Sequence, residues 1–129
     1  MNKSSSTPPR TNTVTIVDRI KQCYLIWIHI IPHIIKLHRA TIGNRIGSLF
    51  LEILESSYHA YYATKDEKIP LIIHTMKKLE SLKLLITVSW EGKLIQNAQF
   101  TELTKELNEI GKMLGGWKRG IESKTNPER

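Results

Sequence analysis

Apolar residues recur at alternating spacings of three and four along most of the chain, a pattern typical of amphipathic helices that pack on other helices. Four such runs predict an all-α, up-down-up-down four-helix bundle, because short connections favour antiparallel neighbours and no strand-like alternation interrupts them. The clearest run lies in the last helix and comprises Phe100, Leu103, Leu107, Ile110, Leu114, Trp117 and Ile121.

The ends of the other three helices follow from local signals. Helix one covers residues 14–37 and is predicted to kink at Pro32, followed by a break over residues 36–40. Thr41 is a plausible N-cap for helix two. Helix three starts between Thr64 and Ile69, with a possible capping box of Thr64 and Glu67, and Gly92 ends it. Its seam, which is the apolar stripe that faces the core, is predicted to contain Ile72, Met76, Leu79, Ile86 and Trp90.

Glycines interrupt the last helix. Gly111, Gly115 and Gly116 each cost about 1 kcal/mol relative to alanine inside a helix. We interpret them as bare backbone that a neighbouring helix or partner approaches closely. A Gly115→Leu change is therefore expected to lose folding or assembly first, and ligand binding only as a consequence.

The pattern divides the 129 residues into three parts. Residues 1–13 are rich in Ser, Thr and Pro and are predicted to form a disordered arm, residues 14–122 form the bundle, and residues 123–129 form a flexible tail. Second apolar stripes on helices one to three exceed what one bundle needs, which favours self-association or a large partner over a wide monomeric core. These stripes contain Tyr24, Ile28, Ile31, Ile35, Leu51, Leu54, Tyr58, Tyr61, Ile73, Leu84 and Val88.

The charge balance points to an anionic partner. A formal net charge of +7 suits nucleic acid, an acidic protein or an anionic membrane surface. Cys23 is the only cysteine and lies on the seam of helix one, so it predicts a buried, reduced thiol and a cytoplasmic location. The most apolar run, residues 24–35, is too short to cross a bilayer, which takes about 20 residues.

Catalytic and metal-binding patterns are not found in the sequence. His29 and His33 are four residues apart, but Pro32 lies between them and no third ligand is near. Neither Glu-x-x-His nor a nucleophile arrangement occurs. We therefore predict a non-enzymatic protein with no metal and no cofactor.

The basic residues are the candidate binding residues. Lys105, Lys112 and Arg119 are seven apart on one face of helix four, where Glu102 and Glu109 dilute the charge. Lys83 falls on an apolar stripe, so it either snorkels at a bundle edge or faces a polar channel in an assembly. Aromatic residues do not alternate with these cations, so contacts to phosphates with weak sequence preference are expected. The predicted nucleic-acid-binding residues are Arg39, Arg45, Lys77, Lys78, Lys83, Lys112, Lys118 and Arg119.

Two segments carry a resemblance to a known family. Residues 34–46, IIKLHRATIGNRI, resemble the junction of helices one and two in the bacterial "four helix bundle protein" superfamily, and residues 108–117, NEIGKMLGGW, resemble its closing signature. The Met-Leu-Gly-Gly-Trp ending and the excess of basic over acidic residues resemble those of the accessory variability determinant family of diversity-generating retroelements. Pro70 departs from the pattern.

That resemblance implies a homopentameric barrel of bundles without a catalytic site. It also implies binding to the retroelement's reverse transcriptase and to its RNA template or cDNA, in support of mutagenic copying. A second branch, the proteins encoded in intervening sequences of bacterial large-subunit rRNA genes, is the alternative and implies a binding module. A structural oligomer without a nucleic-acid role is a third possibility.

Overall fold

A computed structural model describes residues 12–125 as an antiparallel bundle of four long helices. These are α1 (Asn12–Ile30), α2 (Asn44–Tyr62), α3 (Lys65–Glu91) and α4 (Asn97–Thr125). Each helix packs on the next, and α4 closes the bundle against α1. The all-α four-helix prediction is thus confirmed. The arm predicted at residues 1–13 lies mostly outside the described residues, and α1 and α4 extend slightly beyond the predicted limits of 14 and 122.

The predicted seams form the core. Trp27 and Phe50 are its largest side chains, with ring centroids 6.5 Å apart across α1 and α2. Cys23 is fully buried, as predicted, and burial together with the carboxylates of Glu106 and Glu102 raises the pKa of its thiol to about 12. The buried seam residues of α1 and α4 include Ile16, Ile20, Ile30, Leu103, Leu107, Ile110 and Leu114.

One polar pair lies inside the bundle between α2 and α3. The Ser56 and Thr75 hydroxyl oxygens are 2.5 Å apart, and the Thr75 hydroxyl donates to the Leu71 carbonyl at 2.8 Å. Because a hydroxyl has one proton, Ser56 is the donor to Thr75. This hydrogen bond fixes the register of the two helices at that level.

The connection between α1 and α2 differs from the prediction. Helix α1 ends at Ile30, a 3₁₀ turn covers Ile31–His33, and Ile34 is extended with ψ 134°. Proline has no N–H to continue the ladder, so Pro32 ends the helix instead of kinking it. The predicted break over residues 36–40 is wrong, because a helical turn at Lys36–His38 and a π-helical stretch at Arg39–Gly43 lead directly into α2.

The predicted N-cap of helix two is wrong for the same reason. Thr41 lies inside the π-helical stretch, and its hydroxyl donates back to the carbonyls of Leu37 and His38 at 3.3 Å each. The backbone N–H of Asn44 donates to the carbonyl of Arg39, five residues earlier, and this hydrogen bond defines the π turn. Leu37, the last residue of the predicted helix one, is 70% exposed, because the buried apolar stripe ends at Ile34.

Helix α3 runs through Pro70. It starts at Lys65 after Thr64, but the Thr64 side chain makes no cap hydrogen bond, so the predicted capping box is not formed. Instead Lys68 caps the preceding helix, since its ammonium donates to the carbonyls of Ala60 and Tyr61 at 2.8 Å each. This bond ties the first turn of α3 to the end of α2.

A Schellman motif ends α3. The Leu94 amide donates to the Ser89 carbonyl at 2.8 Å and the Lys93 amide to the Trp90 carbonyl at 3.0 Å. The left-handed residue is Lys93, with φ 63°, rather than Gly92. Trp90 is 36% exposed instead of lying in the seam, because it stacks on Phe100 with ring centroids 4.4 Å apart and closes the connection to α4.

Within the described residues, no helix has both the length and the apolar content needed to cross a membrane.

Candidate nucleic-acid interface

Helix α4 carries both signs of charge on its exposed surface. Arg19 of α1 donates to the Glu106 carboxylate at 3.3 Å, and the charge of Glu102 contributes to the raised pKa of the Cys23 thiol on α1. Lys112 and the cations seven residues before and after it are exposed on the outward side. Glu102 and Glu109 lie within one helical turn of this basic stripe, so the dilution expected from the sequence stays a prediction.

The outward side of α4 borders an open groove between α3 and α4. The groove has a volume of about 490 Å³ and contains two of the predicted binding residues, Lys83 from α3 and Lys112 from α4. Its other lining residues are Met76, Leu79, Glu80, Asn108 and Gly111. The topology thus brings together two lysines that are far apart in the sequence.

Gly111 explains how Lys83 fits beside this groove. A Cβ atom at Gly111 would lie 3.4 Å from Leu79 Cδ2 and 3.5 Å from Lys83 Nζ. The bare backbone of α4 therefore lets the Lys83 ammonium lie across it, 3.2 Å from the Glu80 carboxylate. Side chains of α3 thus lie directly against the Gly111 backbone, where a Cβ would make ordinary van der Waals contact, and within the protomer Lys83 lies at the bundle edge.

The other two glycines of the closing segment do not pack against another helix of the protomer. A Cβ at Gly115 would meet only Arg119 Nη1, at 3.3 Å, and one at Gly116 only Arg119 Nη2, at 3.9 Å. Arg119 folds back along the bare backbone of its own helix, so close interhelical packing at these two positions is wrong within the protomer. The glycines instead make room for a guanidinium group.

Two predicted residues lie on a different side and are already paired. Arg45 of α2 and Lys78 of α3 both contact the Glu52 carboxylate, at 3.6 and 3.2 Å. One negative charge thus compensates part of their two positive charges in the contact between α2 and α3. We expect these residues to contribute less to anion binding than Lys112, which makes no ion pair with the described residues, whereas Lys83 is itself paired with Glu80 at 3.2 Å.

The remaining predicted residues are dispersed. Arg39 belongs to the π-helical stretch at the end of the bundle where α1 finishes. Lys118 donates to the Glu122 carboxylate at 2.8 Å. Lys77 is exposed on the outward side of α3, on the stripe of Ile73 and Leu84. We define the α3–α4 basic face as Lys77, Lys83, Lys105, Lys112 and Arg119.

The comparisons with known proteins give a likeness of fold. No protein-family model matches the sequence, and no curated protein is significantly similar to it. One solved structure resembles it. This is a protein of unknown function from the S23 ribosomal protein family of Bacteroides thetaiotaomicron, with a TM-score of 0.77 over 84% of this chain and 99% of that chain. At 12% identity the likeness concerns the helical bundle alone.

Most members of the second apolar stripes are exposed, among them Leu51 and Tyr58 on α2, at 43 and 51%, and Leu84 on α3, at 62%. The predicted Tyr61 is half-buried, while the neighbouring Tyr62, which was not predicted, is 69% exposed. Tyr24, Ile31 and Leu54 pack partly against the core. Exposed apolar stripes on two helices are unusual for a monomer and are available for contacts with other chains.

Metal binding finds no support in the geometry. The His29 ring contacts the Leu25 carbonyl of its own helix at 2.7 Å. Over residues 12–125 no three His, Cys, Asp or Glu side chains come together as a possible metal site.

Proposed function

We propose that this protein is a non-enzymatic accessory subunit of a diversity-generating retroelement that binds nucleic acid through the α3–α4 basic face. The observation that carries the proposal is the groove in which Lys83 and Lys112 come together from two helices. The family resemblance of the closing signature supplies the partners, which are the reverse transcriptase and its RNA template or cDNA.

The chemistry of the groove favours phosphate contacts. Its lining contains two cationic side chains, the Glu80 carboxylate, one amide and aliphatic side chains, and among the described residues no aromatic ring on which a base could stack. Such contacts position a strand without reading its sequence. Each neutralised phosphate steepens the salt dependence of binding by about 0.9 units on logarithmic axes.

Self-association belongs to the same proposal. The exposed stripes of α2 and α3 supply apolar surface for copies of this chain, and the resemblance implies a pentamer. Sedimentation of the purified protein tests this point, and a monomer at micromolar concentration would contradict it.

The nucleic-acid part is tested by comparing two double variants. Lys83→Ala with Lys112→Ala is expected to weaken binding of an RNA oligonucleotide in a filter assay more than Arg45→Ala with Lys78→Ala, because Glu52 contacts both cations of the second pair, whereas Glu80 contacts only Lys83 of the first. Equal effects would refute the assignment of the basic face. Failure to co-purify with a reverse transcriptase encoded beside the gene would refute the accessory role.

A second candidate is a protein of the rRNA intervening-sequence type, acting as a binding module. The family name of the similar structure, a ribosomal protein family, favours it. The position of the gene distinguishes the two, since one predicts a neighbouring reverse transcriptase with paired repeats and the other predicts an rRNA operon.

A further inference from the structure

A second depression lies at the end of the bundle where α2 finishes and α3 begins. It has a volume of about 300 Å³ and is open to solvent. Residues from α2, α3 and α4 line it, namely Tyr61, Lys65, Lys68, Trp117, Ile121 and Lys124. None of these belongs to the α3–α4 basic face.

The depression has uncompensated positive charge. Lys65 and Lys124 are exposed and make no ion pair or hydrogen bond with any residue of the described part of the chain. Lys68 is held in place on the end of α2 by its two carbonyl contacts. Asp66 and Glu67 are nearby in the sequence but do not line the depression.

The floor of the depression is aromatic and aliphatic. Trp117 and Ile121 pack against the hydrophobic core with one side, and their partly exposed surfaces line the depression. Tyr61 is also half-buried, and its ring meets the Tyr62 ring edge-on with centroids 4.8 Å apart. An indole and a phenol beside two free ammonium groups can receive a flat ring that carries an anion.

We infer that this depression binds one unpaired nucleotide, with its base against Trp117 and its phosphate between Lys65 and Lys124. About 300 Å³ is at the small end of ligand sites, which suits one nucleotide rather than a helical segment. The inference rests on the proposed function insofar as the nucleotide belongs to a strand. It adds a stacking contact to the phosphate contacts expected from the sequence, because the fold places Trp117 of α4 beside Lys65 and Lys68 of α3.

The test compares single strands with duplexes. Wild-type protein is titrated with a fluorescent thymidine decamer and with a duplex of the same length. Lys65→Glu with Lys124→Glu is the pocket variant, and Lys36→Glu with Lys93→Glu is the control, since it makes the same charge change at exposed positions at the opposite end of the bundle. The pocket variant is expected to bind the decamer about tenfold more weakly than the control does, while both bind the duplex equally.

A stacking readout accompanies the charge test. The decamer is expected to quench tryptophan fluorescence in the wild type, and Trp117→Leu is expected to lose most of this quenching and about fivefold or more in affinity. Because Trp117 also packs on the core, circular dichroism checks that the Trp117→Leu variant is folded. The lysine variants change no core residue, so the charge comparison still tests the pocket if Trp117→Leu unfolds.

The outcomes separate this inference from the proposed function. If pocket and control variants bind the decamer alike while Lys83→Ala with Lys112→Ala still weakens binding, the pocket is overturned and the proposed function stands. Uridine monophosphate is the second probe, and its binding is monitored through the NMR signal of the Trp117 indole. One outcome is that uridine monophosphate shifts that signal in the control and not in the pocket variant while neither the decamer nor the RNA binds. That result would mean that a free nucleotide occupies the pocket and that the proposed function fails. If neither probe binds, both are overturned.

Discussion

The closing glycines give a prediction of unexpected sign, namely that filling two of them stabilises the protomer. Among the residues that the structure describes, a Cβ at Gly120 would meet nothing within 4 Å, and one at Gly116 would meet only a guanidinium nitrogen of Arg119 at 3.9 Å. Alanine therefore carries no steric cost at either position. Alanine has less backbone freedom than glycine in the unfolded chain, so it loses less entropy when the helix forms. Each change is therefore expected to add about 1 kcal/mol to the free energy of unfolding.

The two gains should add approximately although the positions are four residues apart on one helix, because each is a local change in backbone entropy. Gly116→Ala with Gly120→Ala is thus expected to gain about 2 kcal/mol, which raises Tm by roughly 6 to 10 °C for a domain of this size. Urea denaturation of dilute protein measures the free energy directly. Gly47→Ala in α2 is the matched positive control, since a Cβ there also meets nothing within 4 Å.

Gly111→Ala is the contrasting variant. Its Cβ would lie 3.4 Å from Leu79 and would crowd the Lys83 ammonium, so little or no gain is expected. If the double variant at Gly116 and Gly120 lowers the stability of dilute protein while Gly47→Ala raises it, the reasoning from open space is refuted.

Three further predictions concern the core and the helix ends. The Cys23 thiol has an ordinary pKa of 9.0 in the unfolded chain and a pKa of about 12 in the native state. Between these two pH values the unfolded state binds fewer protons than the native state. The free energy of unfolding should therefore fall by up to about 4 kcal/mol as the pH rises from 9.0 to about 12. Cys23→Ala should show a smaller fall in urea titrations at high pH, and an equal fall would contradict the buried thiol. Lys93→Gly should raise the free energy of unfolding by about 1 kcal/mol, because glycine adopts φ 63° without strain, and an unchanged Tm would count against this. Thr75→Val should lower it by about 1 to 2 kcal/mol, since Ser56 loses its short hydrogen bond and is left with the more distant Ile53 carbonyl at 3.4 Å, whereas Thr87→Val, which loses only a bond to its own helix, should cost less.

Periodicity identified the core well because it depends only on the geometry of each helix. Ile16, Leu49, Leu79 and Leu107 are buried as their spacing predicts. The helix ends were harder, because Pro32 could kink a helix or end it, and the tertiary packing decides which. Likewise the extended backbone at Ile34 could not be read from a single apolar residue.

The candidate site was predictable only in its composition. Eight basic residues could be named from the sequence, but the ion pairs that each one makes in the fold decide which of them carry uncompensated charge. Glu52 compensates Arg45 and Lys78, and nothing in the local sequence of Lys78 indicates this. Equally, Lys83 and Lys112 share a groove only because α3 and α4 pack side by side.

The salt dependence of RNA binding tests the central claim most directly. The affinity of wild-type protein for a single RNA is measured by filter binding over a range of salt concentrations, beside a variant in which Lys77, Lys83, Lys112 and Arg119 are alanine. The slope of log affinity against log salt should be about three to four units shallower in the variant, at about 0.7 to 0.9 units for each lost phosphate contact. Equal slopes, or an affinity that does not change with salt, would contradict the assignment of this face to nucleic acid.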